Sequence, residues 1–153
     1  MLRRRQGVVL TELLMVLLLL GILTAIAIPA MRSFGQWPLR AASQEMVARI
    51  REARQTAMAT GNICYVVFFE FSARYRLELP TGREWVKLPS EVVFGGTNFP
   101  PSKLFDNRPT VYFRPTGAPN RGGHLILRDR DGRQRFIIVT PVTGRVRISE
   151  TPP

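Results

Sequence analysis

Apolar residues fall into three textures along the chain. From Val8 to Ala30 they are nearly continuous, 23 residues in which Glu12 is the only charge. From Leu39 onward they recur every three or four positions, at Leu39, Ala42, Met46, Ile50, Ala53 and Ala57, with Arg40, Glu45, Arg49, Arg51, Glu52 and Arg54 filling much of the rest. That spacing predicts an amphipathic helix, and Gly61-Asn62 reads as its stop. Beyond Asn62 the chain breaks into short runs bounded by turn residues, which predicts strands over 63–71, 75–79, 85–88, 92–94, 111–113, 125–128, 136–140 and 145–148. The stretch 95–109, with two glycines, three prolines and two asparagines, reads as a long surface loop. Asp131-Gly132 reads as a hairpin turn.

The first texture has membrane dimensions. At 1.5 Å per residue it spans about 34 Å, enough to cross a bilayer core. Arg3, Arg4 and Arg5 precede it, so the positive-inside rule keeps that end in the cytoplasm and places the rest of the chain outside. An acid in such a segment costs about 2.5–3.5 kcal/mol on insertion scales, so Glu12 calls for a partner. Two conventional readings leave that cost unexplained. One is a secretory signal peptide cut near Ala25-Ile26-Ala27, and the other is a plain signal anchor holding a basic domain at the membrane.

A third reading gives the acid a role. Gly7-Val8-Val9-Leu10-Thr11-Glu12-Leu13, followed by Gly21-Ile22-Leu23-Thr24-Ala25-Ile26-Ala27-Ile28-Pro29, resembles the processing signal of type IV pilins and type II secretion pseudopilins. The resemblance implies that a prepilin peptidase cuts between Gly7 and Val8 and that Val8 is N-methylated. Glu12 then stands fifth after the cut, and Pro29 twenty-second, where many pilins also carry proline. The chain departs from the usual pattern, which has Phe, then Ser or Thr, and an apolar fourth residue; here Val8, Val9 and Thr11 stand. Cleavage would leave an ammonium on Val8 about 6 Å along the helix from Glu12. In a filament, Glu12 of one subunit would pair with that ammonium on a neighbour.

The later segments narrow the resemblance to the GspH/FimT group of minor pseudopilins. The residues carrying it are Ile50-Arg51-Glu52-Ala53-Arg54-Gln55-Thr56-Ala57 with Asn62, then Val111-Tyr112-Phe113-Arg114-Pro115-Thr116-Gly117, and finally Thr143-Gly144-Arg145-Val146-Arg147-Ile148. The fold it implies is α+β and pilin-like: a long N-terminal helix, half membrane and half amphipathic, packed on a C-terminal antiparallel β-sheet domain. The corresponding division is a cleaved leader (1–7), a transmembrane and assembly helix (8–31), an amphipathic continuation (32–62) and a β-rich globular domain (63–153). The expected place is the inner membrane, single-pass with the C-terminal domain outside, and then a periplasmic or cell-surface filament, with the chain at its tip. The expected partners are prepilin peptidase, other pilin or pseudopilin subunits and the membrane.

Charge adds one further candidate. The chain carries 22 Lys and Arg against 11 Asp and Glu, a net +11; without Arg3, Arg4 and Arg5 the balance is 19 to 11, still +8. Such an excess suits polyanions as well as a solvated basic face. On a strand, Arg145 and Arg147 share a face while Val146 and Ile148 point the other way, and Arg133 and Arg135 repeat the spacing. These four are the candidate DNA contacts, and the FimT branch associates a Gly-Arg-x-Arg element with DNA capture in natural transformation. Secretion relatives also end in a glycine-arginine strand, so the element fits either role.

Catalytic chemistry has little footing. One histidine, His124, and one cysteine, Cys64, cannot build a His/Cys zinc site, and a single cysteine forms no internal disulfide. Asp129-Arg130-Asp131-Gly132 lacks the later acids of a calcium loop. The expectation is a non-enzymatic protein without metal or cofactor.

Overall fold

The computed structural model describes the backbone of residues 3–34 and 37–153, with side chains over 10–25 and 37–153. The chain forms two compact units that divide at Trp37. The first is one helix, α1 (Arg3–Phe34), which continues through Pro29. Between Leu10 and Leu23 its large apolar side chains are all at least half exposed. The Thr24 hydroxyl donates to the carbonyls of Leu20 and Gly21, both at 2.9 Å, so the helix satisfies that polar group internally. Among the described residues no helix is long and apolar enough to cross a membrane. Of α1, side chains are described for sixteen residues only. The side chains of Val8 and Pro29, and the contacts expected of them, lie outside the described residues.

The second unit begins with α2 (Trp37–Thr60). Pro38 stands in the first turn of α2, where its missing N–H has no intrahelical partner to lose. The helix ends as expected. Gly61 takes φ +69° and its N–H donates to Ala57 O at 3.1 Å, a left-handed cap that glycine adopts without steric cost. All six apolar positions of the stripe are buried, together with Ser43 and Val47; the Ser43 hydroxyl donates to Leu39 O at 2.6 Å.

Nine strands follow: β1 (Cys64–Phe69), β2 (Arg74–Leu79), β3 (Gly82–Lys87), β4 (Val92–Thr97), β5 (Pro101–Ser102), β6 (Arg108–Phe113), β7 (Gly123–Asp129), β8 (Gln134–Val139) and β9 (Val146–Ser149). They form two antiparallel sheets, ordered β3-β2-β1-β6-β5 and β4-β7-β8-β9. One face of each meets α2 in a single core. Val66, Phe68, Leu77 and Phe113 come from the first sheet, and Leu125, Leu127, Ile137 and Val146 from the second. Arg49 ties the helix to the first sheet by a 2.7 Å ion pair with Glu84 on β3.

The expected loop at 95–109 is in part strand, seven of its fifteen residues. It holds the end of β4, all of β5, a 3-10 turn at Lys103–Phe105 and the start of β6. Its glycines have a packing reason. Gly95 lies so close to β7 that a Cβ would stand 2.8 Å from the Ile126 side chain, and Gly96 follows a register shift at φ +127°.

The other face of the first sheet is covered by stacked arginines and aromatic rings. The Arg76 guanidinium lies 5.0 Å from Trp85 and 5.6 Å from Phe69 and Phe105, Arg74 lies 4.6 Å from Trp85, and Arg108 lies 4.9 Å from Phe69. Arg76 also pairs with Glu78 at 2.6 Å. A share of the chain's positive charge is thus sheet cover, with each stack contributing about 0.5–1 kcal/mol.

Candidate functional site

The four candidate arginines do not form one patch. Cross-strand pairing puts Arg147 beside Ile138, whereas Arg135 sits opposite Leu127, on the face whose next positions, Ile137 and Val139, belong to the core. Arg135 and Arg147 therefore emerge on opposite faces of the second sheet. The acids decide the matter further. Arg135 pairs with Glu150 at 2.8 Å, and Arg133 pairs with Asp129 at 2.7 Å and with Asp131. Arg133 and Arg135 thus carry ion-pair partners within the domain.

The same geometry explains why the Asp129 loop holds no calcium-type ligand set. Asp129 is buried, with one carboxylate oxygen taking the Arg133 backbone N–H at 2.9 Å and the other the Arg133 Nε–H. Gly132, at φ +82°, closes the expected hairpin between β7 and β8. Among the described residues no cluster of His, Cys, Asp and Glu could hold a metal. Cys64 is fully buried, and burial pushes its thiol pKa up, away from the reactive thiolate. His124 is the second residue of β7, and its backbone N–H donates to the Asn98 side-chain oxygen at 2.6 Å.

Arg145 and Arg147 are exposed, with Val146 buried between them, and neither has an ion-pair partner among the described residues. Gly144, at φ +64°, positions them: its N–H donates to Thr140 O at 3.1 Å, and the Thr140 N–H donates to Arg145 O at 2.9 Å.

Two arginines not singled out by the sequence join them. Arg51 Nη2 donates to Val146 O at 2.8 Å, and Arg54 Nε donates to Gly117 O at 3.0 Å. Gly117 itself, at φ +79°, is held in a turn by its N–H to Arg114 O at 2.8 Å. Thus α2 and the loop before β9 border one cleft of about 300 Å³, lined by Arg51, Arg54, Gln55, Thr143, Gly144, Arg145 and Val146. The available sequence signal was the spacing of Arg51 and Arg54, three residues apart on one helix face. Their targets, 95 and 63 residues away, had none.

On α1, Glu12 is exposed amid the apolar surface. Gly7 and Val8 fall within the helical backbone, and their side-chain environment lies outside the described residues.

Comparison with known proteins bears on the second unit. The profile of a family described as type II transport protein GspH matches residues 42–144. No match is found among curated protein sequences. Solved structures share the fold at low identity. EpsH, a minor pseudopilin of the type 2 secretion system of Vibrio cholerae, is 11% identical, with a TM-score of 0.55 over 72% of this chain and 94% of its own. The type IV minor pilin FimU of Pseudomonas aeruginosa is 10% identical, with a TM-score of 0.56 over 72% and 87%. GspH of E. coli is 15% identical, with a TM-score of 0.54 over 74% and 89%. At these identities the likeness is one of fold.

Proposed function

Because the chain belongs to the GspH family of type II transport proteins, we propose that it is a minor pseudopilin, a structural subunit near the tip of a type II secretion pseudopilus or a type IV pilus. The family is structural and non-enzymatic. The observation that carries the reading is the apolar surface of α1. Eleven large apolar side chains between Leu10 and Leu23 stand at least half exposed, a surface that water does not tolerate and that lipid or the helices of neighbouring subunits would cover.

In this reading prepilin peptidase cuts after Gly7, Val8 becomes the methylated N-terminus, and the helix waits in the inner membrane with the globular domain outside. Glu12 pairs with the Val8 ammonium of an adjacent subunit as the helix leaves the bilayer. Pro29 softens the helix near the far end of the span. The partners are the peptidase, the membrane and other pilin-like subunits. Deleting the gene in its host and measuring extracellular release of secreted proteins and the number of surface filaments tests the assignment. Loss of either, restored by the intact gene, is the expected result; normal secretion together with normal filaments would refute it.

A second reading is favoured by one observation, the exposed Arg145 and Arg147, which have no ion-pair partner among the described residues: the chain is the DNA-binding subunit of such a filament, for DNA uptake. It is compatible with the first.

A further inference from the structure

The cleft between α2 and the loop before β9 has an uncommon electrostatic construction. Arg51, Arg54 and Arg145 border it, and none of them has an ion-pair partner among the described residues. The first two are oriented instead by neutral groups, the carbonyls of Val146 and Gly117. A carbonyl fixes a guanidinium without cancelling its charge, and each of these bonds uses one N–H of the five that an arginine carries. The remaining donors are pre-set at the cleft, and their ordering entropy is largely spent in folding.

We propose that this cleft is a phosphate site, in which Arg51 and Arg54 of α2, together with Arg145, clamp the phosphodiester backbone of a nucleic acid. The inference rests on the DNA-binding reading and extends it from strand β9 to the helix. The lining favours this occupant over an acidic side chain of a partner protein. It contains no aromatic ring, and Val146 is its single large apolar residue, so there is little to seat the apolar stem of a docking peptide or to stack a base. Three uncompensated guanidiniums also exceed what one carboxylate can satisfy, whereas a backbone brings successive phosphates. Arg147 emerges on the face of the second sheet away from the core and is not part of the cleft. Contacts of this kind give affinity without sequence preference.

The test uses the full chain in an uncharged detergent, a fluorescent duplex DNA of arbitrary sequence, and fluorescence anisotropy over a range of salt concentrations. Gln55→Glu is the main variant. Gln55 is exposed and four residues from Arg51 on the same helix, so the new carboxylate neutralises the cleft without disturbing the fold. Binding should weaken about tenfold, and the slope of log affinity against log salt should become shallower by about one to two units. Arg51→Gln with Arg54→Gln should do the same, with thermal melting reporting that the domain is folded. If both variants bind like the parent while Arg145→Ala with Arg147→Ala loses binding, the cleft proposal falls and the DNA reading stands. If the parent binds polyglutamate but not DNA, the site takes acidic protein and the proposal falls. If it binds neither, both fall.

Discussion

Arg54 on α2 donates its Nε–H to the carbonyl of Gly117 at 3.0 Å, joining two residues 63 positions apart. Gly144 presses on this bond from a third segment. Its Cβ, if it had one, would stand 2.4 Å from the Gly117 oxygen and 2.9 Å from Arg54 Nε. With φ at +64°, the backbone there is also one that side chains rarely adopt. Gly144→Ala should therefore cost about 1–3 kcal/mol and separate the loop from α2. Chemical denaturation measures the loss, and an unchanged midpoint would mean the loop yields freely.

Alkaline pH should loosen the core through two buried groups. Burial raises the pKa of the Cys64 thiol and, chiefly by the same desolvation, that of the Tyr75 phenol, whose hydroxyl has no protein hydrogen-bond partner. A raised pKa in the folded state means the stability it represents is complete below the unfolded values, about 8.5 for Cys and 10 for Tyr, and is lost as pH climbs past them. The melting temperature should hold level to about pH 8 and fall above it. Cys64→Ala with Tyr75→Phe should flatten that fall; a curve of the same steepness would assign it to other groups.

Glu12→Leu removes the one acid of the apolar stretch and with it the insertion cost of about 2.5–3.5 kcal/mol. The variant should be inserted and cleaved at least as well as the parent, yet enter filaments poorly. Membrane fractionation and quantitation in sheared filaments separate the two effects. Normal incorporation would deny Glu12 an assembly role.

The parts of this fold that were legible in the sequence are those written in local periodicity and turn chemistry. Leu39, Ala42, Met46, Ile50, Ala53 and Ala57 mark the buried face of α2, Gly61 its cap, and Asp131-Gly132 the hairpin between β7 and β8. The region 95–109 misled because glycine and proline signal both loops and close strand packing, and Gly95 is there for its approach to Ile126. The arginines were harder still. Spacing placed Arg145 and Arg147 on one face, but nothing local told that Arg135 would meet Glu150, fifteen residues on, or that Arg51 and Arg54 would be aimed by distant carbonyls. Charge pairing across a sheet is a property of topology, which a one-dimensional pattern does not carry.

The central claim, a pilin-type subunit handled by pilin-type processing, is tested most directly by the N-terminal residue of the mature protein isolated from its host. The account predicts a chain that begins at Val8. A chain that begins near Ile28, or one that keeps Met1, would contradict it.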